Sequence, residues 1–227
     1  MSLSLSRRAM AELFGTFLLV FFGCGAVIMD PFPGAGYHLF GIAVVHGIIL
    51  SLAVSMTMAI SGGVVNPALT VGLWSIGKLK SSDAGVYFLS QVVGGAIAGV
   101  LLKMVMPANV ASLRSVAYGL PTVYNMLTPA HAIAIEAILT FVLMSAVMAT
   151  VVSTKAPKMA GFGVGLTLIP AIMIGGPLTG AALNPARAFG PAIASGDWTG
   201  QAIWWIGPII GAVLAAQLWG RFLLKDE

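Results

Sequence analysis

The sequence is written twice, and each copy carries an odd number of apolar spans. Glu12 opens Glu-Leu-Phe-Gly-Thr-Phe-Leu-Leu, and Glu136 opens Glu-Ala-Ile-Leu-Thr-Phe-Val-Leu. Asn66-Pro67-Ala68 recurs as Asn184-Pro185-Ala186, and Gly94-Gly95-Ala96 aligns near Gly211-Ala212-Val213. A membrane-spanning helix needs about 20 apolar residues. Six stretches approach or exceed that length: residues 9–29, 38–60, 83–106, 129–153, 159–175 and 200–224. Three fall in each copy. After an odd number of crossings the chain is on the far side, so the second copy must run in the opposite orientation. That is an inverted repeat, with its site expected near the midplane. The expectation is one transmembrane channel domain over residues 1–227, its repeats at about 9–106 and 129–224.

Composition supports the membrane reading. The chain is 59% hydrophobic and 8% charged, with mean hydropathy +1.00, where a soluble domain has about 25% charged residues. The net charge of +4 comes from basic residues scattered between spans, so it is loop charge and no nucleic-acid footprint. With the N-terminus placed inside, Arg7, Arg8, Lys78, Lys80, Lys155, Lys158, Arg221 and Lys225 fall on the inner side, and Lys103, Arg114 and Arg187 on the outer. The positive-inside rule then puts both termini in the cytoplasm. Residues 1–9 are too short for a separate signal peptide, and the first span is expected to be retained. Cys24 is the one cysteine, so no intramolecular disulfide forms. There is no zinc-type Cys/His cluster, no nucleophile–base pair at helical spacing, and so no metal, cofactor or enzyme class is indicated.

Two shorter apolar pieces remain, residues 66–77 and 184–195, each about 18 Å long as a helix. They reach half-way across a core of about 30 Å. Each starts Asn-Pro, a helix start in which Asn caps the free amides and Pro occupies the first turn, where its missing N–H is harmless. One such tripeptide would be an ordinary capped helix. Two copies in inverted halves are two re-entrant half-helices meeting N-terminus to N-terminus. Helix ends at that depth survive only inside protein or along a wet cavity. Each end carries about half a positive charge, which repels cations and protons. The amides of Asn66 and Asn184 can donate to a passing molecule, and a water accepting from both cannot relay a proton along the file. The stretches Gly62-Gly63-Val64-Val65 and Gly180-Ala181-Ala182-Leu183 offer backbone carbonyls in a row, suited to single-file neutral molecules.

These two loops, Ser61-Gly62-Gly63-Val64-Val65-Asn66-Pro67-Ala68-Leu69-Thr70 and Asn184-Pro185-Ala186-Arg187-Ala188-Phe189-Gly190-Pro191-Ala192, resemble the signature loops of the aquaporin family, the major intrinsic proteins. The resemblance covers essentially the whole chain, including Glu12, Gln91 and Glu136 at family positions. It implies an all-α fold of six tilted transmembrane helices plus two half-helices, one pore per subunit, and a homotetramer in the lipid bilayer.

The resemblance also implies a four-residue filter at the outer mouth: His46, Ile172, Ala181 and Arg187. Strict water channels of the family usually carry Phe where His46 stands and His where Ile172 stands. The glycerol channels usually carry Trp and Gly there, with Asp after the filter Arg. This chain has Ala188, Ala192 and Trp204-Trp205, which resembles the water-selective branch, and its filter is similar to those of plant tonoplast and ammonia-permeable aquaporins. The expected solutes are water, ammonia and other small neutral molecules. Arg187, always charged, repels cations while donating to the solute. Two departures stand out. Many members have His where Val64 stands, so no pH- or metal-sensing role carries over. Ala181 replaces the frequent mercury-sensitive Cys, and Cys24 lies in the first span.

Glu12 and Glu136 are intramembrane carboxylates, functional by default. Their repeat-related placement favours buried acceptors that tie down the half-helix loops. The alternative is a proton-coupled secondary transporter with inverted repeats. A prokaryotic cell membrane is the expected location, or a vacuolar-type membrane in a eukaryote.

Overall fold

A computed structural model describes residues 3–225. Among the described residues nine α-helices follow in order: α1 (Leu5–Met29), α2 (His38–Ser61), α3 (Pro67–Ser75), α4 (Ser81–Val105), α5 (Ala108–Ala111), α6 (Pro129–Val147), α7 (Phe162–Thr179), α8 (Pro185–Ser195) and α9 (Gln201–Leu218). Six helices are long and apolar enough to cross a membrane, with α6 and α9 each extended by a π-helical turn, Met148–Val152 and Trp219–Leu223. The half-helices α3 and α8 have 9 and 11 residues, about 14 and 17 Å at 1.5 Å per residue.

Local chemistry sets these boundaries. α3, α6 and α8 each begin at Pro behind a capping Asn66, Thr128 or Asn184. α2 and α7 end where Gly62 (φ 93°) and Gly180 (φ 76°) turn left-handed. Two spans differ from expectation. α1 starts at Leu5 rather than residue 9, because Arg8 joins the helix and pairs with Asp83 of α4 at 2.5 Å. The span expected at 159–175 is Phe162–Thr179. A turn with Ala160 at φ 50° delays its start. Gly175-Gly176-Pro177 reads as a breaker, yet α7 continues through it, and Gly175 packs beside Leu139 of α6.

Packing follows the repeat. α1 lies on α4 as α6 lies on α9, α4 on α8 as α9 on α3, α1 on α2 as α6 on α7, and α2 meets α7 across the axis. Close approach depends on glycine. A Cβ on Gly94 of α4 would collide with the Leu13 carbonyl, and one on Gly211 of α9 with the Ala137 carbonyl. Leu13 and Ala137 follow Glu12 and Glu136, so the glycine pair holds each carboxylate-bearing helix in the same place in both halves. The bundle turns Phe22, Phe40, Ile97, Ile138, Ile174 and Leu214 outward, as a lipid-facing surface requires. The linker 107–128, given no fold from sequence, holds α5 and a 3-10 turn, Ala117–Gly119.

Candidate pore and its narrow points

The two half-helices meet at their N-termini through the capping asparagines. Asn66 Oδ1 accepts from the Ala68 amide at 2.9 Å, and Asn184 Oδ1 accepts from the Ala186 and Arg187 amides at 3.0 and 3.3 Å. Each side-chain amide also crosses the seam. Asn66 Nδ2 donates to the Leu183 carbonyl and Asn184 Nδ2 to the Val65 carbonyl, both at 2.9 Å. An amide has two N–H groups, so each Asn keeps one for the lumen, which both residues line. The sequence reading had both amides facing the solute; half of that donor capacity fastens the halves together.

The extended loops are held by the intramembrane carboxylates. Glu12 accepts from the Val64 and Val65 amides at 3.0 and 2.7 Å, from Ser61 Oγ at 2.6 Å and from Gln91 Nε2 at 2.7 Å. Glu136 accepts from the Ala182 and Leu183 amides at 3.0 and 2.8 Å and from Thr179 Oγ1 at 2.6 Å. Gln91 has no equivalent in the second half, where the matching residue is Pro208. Drawing two successive amides onto one carboxylate forces left-handed backbone at Val65 (φ 45°), Ala181 (φ 45°) and Leu183 (φ 52°), a conformation that costs an L-residue about 1–2 kcal/mol. The strain has a result. Gly62, Gly63, Val64, Gly180, Ala181 and Ala182 all line cavities, and among the described residues no protein donor reaches their carbonyls. Neither carboxylate lines the cavities that these loops line; both are fully buried.

A second repeat-related pair supports the same loops. Tyr87 Oη donates to the Ser61 carbonyl at 2.8 Å, and Trp204 Nε1 donates to the Thr179 carbonyl at 2.9 Å. These carbonyls belong to the last residues of α2 and α7. Sequence reading used Trp204 only as a branch marker and missed Tyr87. Extending the repeat alignment seven residues before Gly94 and Gly211 would have paired them.

His46, Ile172, Ala181 and Arg187 are each at most 5% exposed. A cavity of about 280 Å³ runs from Lys78 and Leu79 past both asparagines to Ala181, His46 and Arg187. A second, of about 150 Å³, begins at His46, Arg187 and Ile172 and is walled by residues 119–122 of the linker. His46 and Arg187 are the two residues that line both, so the cavities meet at this pair. Arg187 Nη2 lies 3.3 Å from His46 Nε2, and His46 Nδ1 lies 2.8 Å from the Ile42 carbonyl. A carbonyl can only accept and a guanidinium can only donate. His46 therefore carries its proton on Nδ1 and presents the bare Nε2 to Arg187. Its ring lies over Gly23 of α1, where a Cβ would fall 2.6 Å from Nε2.

The other anchor of Arg187 was not legible in the sequence. Nη1 donates to the Gly119 carbonyl at 2.8 Å, so the linker turn completes the narrow point. A backbone acceptor leaves no mark on residue type. Arg187 Nε is buried without a protein partner, while each Nη, which carries two N–H groups, spends one of them on these anchors. Cys24 is buried beneath the same turn, its Sγ 3.8 Å from the Gly119 carbonyl.

Comparison with known proteins agrees with this geometry. The family described as Major intrinsic protein matches residues 1–219. The whole chain is similar to "Aquaporin TIP2-1" of Arabidopsis thaliana, 36% identical over 239 residues and covering 91% of that protein. It is 37% identical over 223 residues to "Aquaporin-8" of Mus musculus, covering 97% of this chain and 83% of the mouse protein. The fold superposes on "X-ray structure of the aquaglyceroporin from Plasmodium falciparum" with TM-score 0.84 over 98% of both chains, at 22% identity. Six membrane-spanning helices, two opposed half-helices and family-wide similarity lead to one conclusion: the chain belongs to the major intrinsic protein family, the aquaporins, and is an integral membrane channel for water and small solutes rather than an enzyme.

Proposed function

We propose that this chain is a passive pore for water and ammonia that excludes protons and ions. The selectivity residues are His46, Ile172, Ala181 and Arg187, and the Asn66-Pro67-Ala68 and Asn184-Pro185-Ala186 motifs form the central barrier. The observation that carries the reading is the His46–Arg187 pair at the junction of the two cavities. A solute there meets the fixed positive charge of the Arg187 guanidinium, beside the apolar faces of Ile172 and Ala181. A neutral molecule with a lone pair gains a hydrogen bond from the guanidinium's Nη groups, each of which has a second N–H. A cation meets repulsion from Arg187 and, further on, from the positive ends of α3 and α8.

The proton-coupled alternative has no support in the geometry, since Glu12 and Glu136 face loop donors rather than the lumen. The residues act as one transmembrane domain of two inverted repeats. The Lys78 end is cytoplasmic by the basic-residue bias, and the family resemblance makes a homotetramer the assembly, in a cell membrane or a vacuolar-type membrane. Stopped-flow light scattering on proteoliposomes tests the reading, with water and ammonia (by internal pH) measured in parallel and glycerol as the large-solute control. Water flux no faster than in empty liposomes refutes the channel. Dependence of uptake on a proton gradient revives the transporter.

A further inference from the structure

The near-twofold relation between the halves builds the filter position twice. By the offset that pairs Asn66 with Asn184, the partners of His46, Ile172, Ala181 and Arg187 are Val164, Val54, Gly63 and Leu69. All four line the chamber between the asparagines and Lys78. One level of the pore thus carries a guanidinium and an imidazole, and its mirror image carries no polar side chain.

The hydrogen-bonding inventory of this chamber is one-sided. The carbonyls of Gly62, Gly63 and Val64 are free, while the amides of Gly63, Val64 and Val65 are taken by Ser61 and Glu12. Ser61 is the one hydroxyl in the lining; it donates to Glu12 and accepts from Gly63. Among the described residues, the extended loop and the side chains lining the wall between the asparagine amides and Lys78 at the mouth offer acceptors and no free donor.

We propose that this acceptor-only chamber is a second selectivity stage, which favours ammonia over water. The inference rests on the reading that both molecules use this pore. A water molecule has two hydrogens and two lone pairs. In single file it exchanges one of each with its neighbours and gives its second hydrogen to a carbonyl, and one lone pair is left without a donor. Ammonia has three N–H groups and one lone pair. Its file neighbour serves the lone pair and the wall carbonyls take the remaining hydrogens, so nothing is stranded. The aliphatic quartet cannot compensate water for the missing donor.

Two variants supply that donor at the mirrored filter: Val164→Asn and Leu69→Gln, each adding a side-chain amide of similar size. Water and ammonia permeabilities are measured per incorporated protein for wild type and both variants. The ammonia-to-water ratio is expected to fall roughly two- to tenfold in each variant that incorporates, the range for one added hydrogen bond, mainly through faster water. An unchanged or rising ratio overturns the proposal. Wild type alone gives an independent reading: a permeability ratio of ammonia to water above one supports the chamber's role, and a ratio below one overturns it. Wild-type water flux at the level of empty liposomes would instead be a failure of the channel reading, so the two are distinguishable.

Discussion

Glu136→Gln is the sharpest test of how the pore loops are held. The carboxylate receives Thr179 Oγ1 and the Ala182 amide on one oxygen and the Leu183 amide on the other. Gln keeps one oxygen, and with it two of the three bonds. Its NH₂ group then faces the Leu183 N–H, donor against donor. A hydrogen bond to a charged group contributes about 1.5–3 kcal/mol. Leu183 is held left-handed at φ 52° by that bond, and relaxing it releases roughly 1–2 kcal/mol. The lost bond disfavours the native loop by about 1.5–3 kcal/mol relative to wild type, roughly ten- to a hundredfold in population at 1.4 kcal/mol per factor of ten, and the strain that both proteins carry then favours the relaxed loop. The loop that leaves this geometry turns the Gly180, Ala181 and Ala182 carbonyls from the lumen. Water permeability per incorporated protein is expected to fall at least tenfold, and the detergent-solubilised protein to melt at lower temperature. Wild-type permeability together with wild-type thermal stability would refute the claim that the carboxylate holds the loop.

Other perturbations follow from the same contacts. Trp204→Phe removes one buried hydrogen bond to the Thr179 carbonyl and is expected to lower stability by about 1–2 kcal/mol, read as a lower melting temperature with the ammonia-to-water ratio unchanged. Gly99→Ala drives a methyl into the Gly190 carbonyl of α8; overpacking of this kind costs about 1–3 kcal/mol or more, and the variant is expected to accumulate poorly in membranes. Asp197 lies outside the spans, and the Thr199 backbone amide, then its hydroxyl, holds the carboxyl below its ordinary range. That contribution is present above the ordinary carboxylate range and is lost as pH falls below it, so the protection of the Thr199 amide relative to its intrinsic exchange rate is expected to hold from pH 7 down to that range and to fall beneath it.

Much of this architecture was legible because it is written in residue types that have few other uses. Asn-Pro at two matched positions marks helix starts, and glycine at Gly94 and Gly211 marks where helices must touch. Glu12 and Glu136 could be assigned to loop anchoring because they hold matching places in the two repeats and stand at family positions. What escaped had backbone as one partner. The Gly119 carbonyl that orients Arg187 could belong to any residue, and Tyr87 and Trp204 serve carbonyls at helix ends. α7 runs four residues past the expected end at 175, since a buried membrane helix with Gly175 packed against α6 tolerates Pro177.

The two halves agree where they must hold a backbone and differ where they meet the solute. Glu12 matches Glu136, Asn66 matches Asn184, and Tyr87 matches Trp204 in function. Each of these fixes a loop, and an inverted repeat can use the same device on both sides of the membrane. The lumen obeys a different demand. A filter that donates from Arg187 needs no second copy, since one guanidinium already bars cations, and a duplicate at Leu69 would place a second charge on the path of every neutral solute. Losing the polar pair at Val164 and Leu69 leaves a chamber whose hydrogen-bonding character is set by the strained loop alone. In this chain, backbone conformation at Gly62–Val64 therefore acts as a chemical group: the same left-handed turns that carry the loop to Glu12 leave the lumen a row of acceptors.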